Sequence, residues 1–285
     1  MGFTGATMEN TVKPFVTWVG GKTRLLPQLR QLYPKDFNRY FEPFLGGGAV
    51  FFDLKPKEAF LNDINPTLIA AYDDIKNRPQ LLIPRLNTLQ NEYQSKTEEQ
   101  QSEFYYQIRH NYNTLHPGFL YRTVYLIFLS KTSFNGLYRE NSKGVFNVSF
   151  GKPTNPTIFN EENLLAVAKA LENATLTSAS FEKAITEADY GDFVYFDPPY
   201  YPINSTANFT RYYEKNFLEA EQIQLRDAFV ELDQRGCYVM LSNSNTDFIS
   251  QLYDKFNKHD VIIERSISCK AKSRGKIKEY VITNY

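Results

Sequence analysis

A chain of 285 residues, 42% hydrophobic and 22% charged, is long enough to bury a full core and has the composition of a globular protein. Its formal net charge of +0 argues neither for nor against nucleic acid, because binding needs only one basic face, which has to be found locally. No apolar run is long enough to cross a bilayer, and the two cysteines, Cys237 and Cys269, make neither a disulfide framework nor a zinc site.

The N-terminal stretch MGFTGATMENTVK lacks the basic start and apolar centre of a signal peptide, and Ala6 stands where a myristoylation signal has Ser or Thr. A cytoplasmic protein without metal or membrane anchor is the expectation. Next comes FVTWVGGKTR, whose GKT invites a phosphate-loop reading. A Walker motif needs Gly five residues before Gly21, and Val16 stands there, so ATP hydrolysis is rejected. Trp18 and Lys22 read instead as an aromatic wall and a cation near a carboxylate.

RYFEPF (39–44) is the first predicted strand, and the glycines from Gly46 to Gly48 lie between it and a helix beginning near Ala49. Glycines there let the backbone approach a ligand and leave helix amides free to meet an anion, although a plain structural turn reads equally well. Phe51 occupies the last glycine position of a dinucleotide fingerprint, which disfavours a pyrophosphate-bearing ligand. EAFLN (58–62) is the second strand, and Asp63 follows it at about the spacing, roughly 20 residues, at which an acid takes ribose hydroxyls. The alternative for Asp63 is a cap on the helix predicted over 65–76.

Strand and helix then stop alternating. Residues 78–172 read as an inserted, mostly helical module, with helices at LLIPRLNTLQNEY, EFYYQIRHNY and LYRTVYLIFLSKT, an exposed loop at QSKTEEQQSE (94–103), and a glycine-punctuated hairpin at GLYRENSKGVFNVSFG. On and before that hairpin Lys131, Arg139 and Lys143 surround Phe134, Asn135 and Tyr138, a mixture suited to phosphate anchoring, base-edge readout and wedging between bases. An ordinary exposed hairpin is the alternative.

Alternation resumes with strands at NATLTS (173–178), DFVYFD (192–197), CYVMLS (237–242), DVIIER (260–265) and EYVITN (279–284), and helices over 219–235 and 245–256. The pattern predicts an α/β fold: a mainly parallel sheet with helices on both faces. DFVYFD runs into Pro198 and Pro199, which must end its ladder abruptly and leave Asp197 at the carboxyl end of a core strand, where ligands of open α/β sheets bind. An acid, two prolines and an aromatic suit methylation of an exocyclic amino group on a planar base. That nitrogen is a poor nucleophile because its lone pair is delocalised. The Asp197 carboxylate and the Pro198 carbonyl are two acceptors that draw it towards tetrahedral geometry; Pro199 helps hold the turn rigid, and Tyr200 stacks on a base that has left its duplex. Beyond this turn NSTANFTRYY (204–213), with Asn208, reads as a lid. RSISCKAKSRGKIK supplies Arg265, Lys270, Lys272, Arg274, Lys276 and Lys278 without an acid, a basic face for backbone phosphates.

FVTWVGGK, FEPFLGGGAVFF, NDIN, FNGLYRENSKGVFNVSFG, DPPY, TANFT and RSIS…SRGK, in that order, are similar to the motifs of the DNA adenine methylase (Dam-like) family over nearly the whole chain. The resemblance implies a Rossmann-like methyltransferase sheet formed by residues 1–77 and 173–285, with 78–172 an inserted target-recognition domain. It implies S-adenosylmethionine as cofactor, contacted by Trp18, Lys22, Asp63 and Asp197, with the Gly46 and Gly48 loop beneath it and Phe44, Ser180 and Phe181 on its adenosine side. Ser180 departs from the family, where many relatives carry Asp. Arg139 is expected to be bidentate to a guanine, Phe134 to intercalate, and Asn135, Leu137 and Asn141 to meet neighbouring nucleotides in GATC. Double-stranded DNA is the expected partner, and the chain is expected to act as a monomer. Amino methylation of cytosine is the rival chemistry, and Asp197 speaks against it, because relatives that methylate the cytosine amino group usually carry Ser at this place. A DNA-binding regulator keeping the pocket as a relic is the rival of another class.

Overall fold

The computed structural model describes residues 12–202, 217–264 and 276–285. Three strands follow one another in the first part of the sheet: β1 (Tyr40–Glu42), β2 (Ala59–Asn62) and β3 (Ala174–Thr177). Four complete it: β4 (Phe193–Phe196), β5 (Tyr238–Ser244), β6 (Asn257–Glu264) and β7 (Lys276–Thr283). Their spatial order is β3-β2-β1-β4-β5-β7-β6, with β7 antiparallel to both neighbours and the other pairs parallel.

β4 shows why this is a core strand. All four of its residues are fully buried, as a strand covered on both faces of a parallel sheet requires. Side chains alternate between faces, so Phe193 and Tyr195 join one hydrophobic cluster with Tyr40, while Val194 and Phe196 join the other with Phe41.

Helices cover both faces. Short α1 (Leu26–Leu29) and α2 (Ala49–Leu54) flank β1, and α3 (Pro66–Asn77) follows β2. Asn65 starts α3, its Oδ1 accepting from the amides of Thr67 (2.9 Å) and Leu68 (3.3 Å). Then come α4 (Pro79–Gln94), α5 (Glu98–Thr114), α6 (Leu120–Thr132) and α7 (Glu161–Ala170), whose buried Leu82, Tyr93, Phe104, Tyr105, Phe128 and Val167 extend the Tyr40 cluster without a break. α8 (Phe181–Ala184), α9 (Glu219–Gln234) and α10 (Asp247–Leu252) serve the opposite face.

The expected loop at 94–103 is overturned. Thr97 caps α5 and its hydroxyl accepts from the Gln100 amide while the Gln100 side chain accepts from the Thr97 amide, so this polar stretch begins a helix at Glu98. The helix expected over 245–256 ends at Leu252, and β6 starts at Asn257 because β7 offers polar His259 and Lys258 an antiparallel partner. Among the described residues no helix is long and apolar enough to cross a membrane.

Successive strands run outward from β1 to β3 and then return to β4 on the other side of β1. The carboxyl ends of β1 and β4 are therefore adjacent at the point where the order reverses, which is where an open α/β sheet opens a crevice.

Candidate active site

Beyond β1 the chain turns through Gly46 (φ +49°) and Gly48 (φ +68°) into α2. A Cβ on Gly48 would lie 2.9 Å from the Tyr72 hydroxyl, and one on Gly46 would lie 3.0 Å from Trp18 Cδ1, so conformation and space both demand glycine. The Tyr72 hydroxyl donates to the Gly46 carbonyl (3.0 Å), and the Gly46 amide donates to Asp63 Oδ2 (2.9 Å). Asp63 Oδ1 accepts from the Asn65 amide (2.9 Å), leaving the capping of α3 to Asn65. Burial raises the Asp63 pKa against these two amide bonds.

Asn62, which sequence reasoning missed, ties this edge together. Its Nδ2 donates to the carbonyls of Pro43 and Ala179, each at 3.0 Å, and its Oδ1 accepts from the Thr177 hydroxyl and the Ala179 amide, each at 2.9 Å. One buried amide thus fixes the loop carrying Phe44 against the loop carrying Ser180 and Phe181. Phe44 packs on Phe181 (5.6 Å between rings) and on Phe217 (5.7 Å), a second residue the sequence did not point to. Ser180 is exposed and its hydroxyl makes no cap bond to α8.

At the end of β4, Asp197 meets Lys22. The Lys22 ammonium lies 2.6 Å from Asp197 Oδ1 and 2.7 Å from Oδ2, donates to the Gly20 carbonyl (2.8 Å), and stands 4.9 Å over the Tyr200 ring. Burial raises the Asp197 pKa, and the adjoining ammonium works against it. A third missed residue, Glu42, is buried beneath this pair and accepts from the Tyr40 hydroxyl (2.8 Å). Burial pushes its carboxyl well above the usual carboxylate range, and the Asp197 charge adds to that push. The sole sequence signal for Glu42 was an acid inside the apolar strand predicted over 39–44, which the structure ends at Glu42.

The hairpin stands on the same N-terminal segment. Trp18 stacks on Tyr138, 4.7 Å between centroids and 23° between planes, so Trp18 lies between the glycine loop and the hairpin. Tyr138 is turned inward: its hydroxyl donates to Glu140 and pairs with the Tyr112 hydroxyl (3.0 Å). Outward lie Phe134 (53% exposed), Asn135 at φ +55°, Leu137 and Arg139. Arg139 Nε donates to Asn147 Oδ1 (2.9 Å), a missed partner on the returning arm of the hairpin, where Phe146, Val148 and Phe150 are buried and Asn147 is exposed. Asn141 shapes the turn, its Oδ1 accepting from the Lys143 (2.9 Å) and Val145 (3.1 Å) amides. Lys131 is half-buried, and burial lowers its pKa. Asn208, Arg265, Lys272 and Arg274 lie outside the described residues, as does the side chain of Lys276, whose backbone belongs to β7.

A seven-stranded sheet with one antiparallel strand, a glycine turn after β1, an acid after β2 and a second acid at the end of β4 define a Rossmann-like methyltransferase. The pattern of the D12 class N6 adenine-specific DNA methyltransferases matches residues 18–267, and the chain belongs to that family. It is 41% identical over 279 residues to the type II methyltransferase M1.LlaDCHI of Lactococcus lactis subsp. cremoris, covering 96% of each chain. With the type II methyltransferase M.MjaIII of Methanocaldococcus jannaschii it shares 43% identity over 96% of this chain and 99% of the relative. The DNA adenine methylase of Escherichia coli (strain K12) is 34% identical over 94% of this chain and 93% of its own. The chain is accordingly an N6 adenine-specific DNA methyltransferase, an enzyme that acts on DNA and requires a methyl donor.

Proposed function

We propose that the enzyme methylates N6 of an adenine flipped out of GATC in duplex DNA, with S-adenosylmethionine as donor. The observation that carries this reading is the Lys22–Asp197 pair at the end of β4, beside the glycine turn and Asp63 across the switch point. The cradle fits that cofactor: Asp63 is an acceptor for ribose hydroxyls, Gly46 and Gly48 keep side chains out of the turn, Trp18 walls it, and Phe44 and Phe181 with Ser180 make an aromatic, hydroxyl-edged adenine pocket. When bound, S-adenosylmethionine supplies a sulfonium methyl that is already electrophilic, so alignment does much of the remaining work.

Asp197 and the Pro198 carbonyl accept the two hydrogens of the adenine amino group and aim its lone pair, while Tyr200 stacks on the base. Among the described residues no hydrogen bond reaches the Pro198 carbonyl, in keeping with an acceptor kept for substrate. Lys22 keeps Asp197 an anion, and Asp197 takes the surplus proton once methylation has made the nitrogen cationic.

Residues 78–172 act as the recognition module in this reading. Arg139, steadied by Asn147, reads a guanine; Phe134 wedges into the stack beside Asn135 and Leu137; Tyr138 holds the hairpin against Trp18. Lys131, Asn141, Asn208 and the basic run with Arg265, Lys272, Arg274 and Lys276 complete the DNA surface, and one copy of the chain is the working unit in the cytoplasm. Asp197→Ala tests the assignment: methyl transfer is expected to vanish while GATC duplex binding persists. Turnover surviving in Asp197→Ala would remove the acid from the reaction.

A further inference from the structure

Behind the Asp197–Tyr200 turn two fully buried amides meet, Gln222 on the first turn of α9 and Asn243 near the end of β5. The backbone amides of Tyr201 (3.2 Å) and Ser244 (2.8 Å) both donate to Asn243 Oδ1. Two donors on one atom fix it as the oxygen, so Nδ2 must face Gln222, where it donates to Oε1 (2.9 Å). Gln222 Nε2 is thereby aimed at the Pro199 carbonyl and donates to it at 3.0 Å.

The Pro199 carbonyl belongs to the peptide group before Tyr200, and the Tyr201 amide to the peptide group after it. One buried pair therefore grips both peptide planes flanking a single residue. At the far end of the same side chain the Tyr200 hydroxyl donates to Glu279 Oε2 (2.9 Å). Pro198 and Pro199 already limit φ before Tyr200. Two buried amides would be unfavourable in an apolar layer without such partners, and an apolar pair would fill the space without setting any orientation.

We propose that Gln222 and Asn243 are positioning residues of methyl transfer, a clamp that sets the Tyr200 ring at the height and tilt at which it holds the target base. The inference rests on the reading of Asp197 to Tyr200 as the methyl-transfer site. It assigns to α9 and β5 a part in base holding that is separate from cofactor binding, since the clamp touches neither Asp63, the glycine turn nor the Phe44 pocket in the hydrogen bonds it makes.

Gln222→Met keeps the volume and removes the donor to Pro199. Single-turnover transfer to a GATC duplex is expected to fall roughly 10²-fold, as for a small displacement of a substrate-holding group, with the dissociation constant for S-adenosylmethionine unchanged. A duplex carrying 2-aminopurine at the target adenine is expected to fluoresce more brightly on this variant than on wild type, because a poorly placed Tyr200 no longer quenches the extruded base by stacking. Gln222→Glu supplies the rescue: its carboxyl donates to Pro199 only while protonated, so its rate relative to wild type is expected to rise as the pH falls. A Gln222→Met rate equal to wild type would overturn the clamp. So would a rate loss that matches the loss of folded protein with unchanged 2-aminopurine emission, the mark of a merely structural role. A wild-type protein inert on GATC duplex overturns the underlying site reading itself, and is told apart because it fails before any variant is compared.

Discussion

Asp197 is a largely buried acid, 20% exposed at its side chain, whose charged form Lys22 favours, and the two opposing influences have a kinetic consequence. In the proposed mechanism ionised Asp197 is the active form, so turnover is expected to fall as the pH drops through its pKa. Removing the ammonium takes away what lowers that pKa and leaves burial alone. In Lys22→Met the acid limb of the pH–rate profile is therefore expected to move to higher pH, and an unmoved limb would deny Lys22 this role. Glu42 gives a prediction of the opposite kind. Its folded-state pKa is raised above the ordinary carboxylate value, so its contribution to stability is whole below that ordinary value and is lost as the pH climbs towards the raised one. Glu42→Gln cannot ionise, and its stability relative to wild type is expected to improve from pH 5 to pH 8 in denaturant titrations; a constant difference would contradict this.

The hairpin and its neighbours carry predictions at the level of the element. Arg139→Ala is expected to relax selectivity at one guanine, losing roughly 1–3 kcal/mol of discrimination. Equal losses on every duplex would make Arg139 a phosphate contact instead. Gly136 sits at φ +63°, and a Cβ there would be tight, 3.0 Å from the Ser130 carbonyl oxygen. Gly136→Ala is expected to cost about 1–2 kcal/mol of strain and to weaken specific DNA binding while S-adenosylmethionine binding is retained, which paired titrations with the two ligands would show. Strand ends were legible in the sequence because their signals are local: a β-favouring run closed by prolines at 198 and 199, or by an acid at 63. Asn62, Phe217, Asn147 and the pair Gln222 and Asn243 were not legible, because each takes its meaning from partners far away in sequence. The start of α5 was a different failure. Thr97 and Gln100 spell a capping box, but a polar composition reads as loop unless the box is given precedence.

At the scale of the whole molecule, one strand order brings together what the chain keeps apart. Lys22 and Asp197 are separated by 175 positions, yet the reversal between β1 and β4 places the N-terminal segment over the end of β4. Trp18 and Tyr138 join the glycine turn to the hairpin through one aromatic stack, so the proposed donor cradle and the proposed reading surface share a wall. Net charge of +0 is no obstacle, since basic residues are gathered in the run from Arg265 to Lys278. The measurement that tests this account most directly is transfer of labelled methyl from S-adenosylmethionine to two duplexes of equal composition, one with a single GATC and one with those bases scrambled. Label on the adenine of the GATC duplex alone is the expected result. Label on both duplexes would contradict the reading of the hairpin, and label on neither would contradict the proposed activity on DNA.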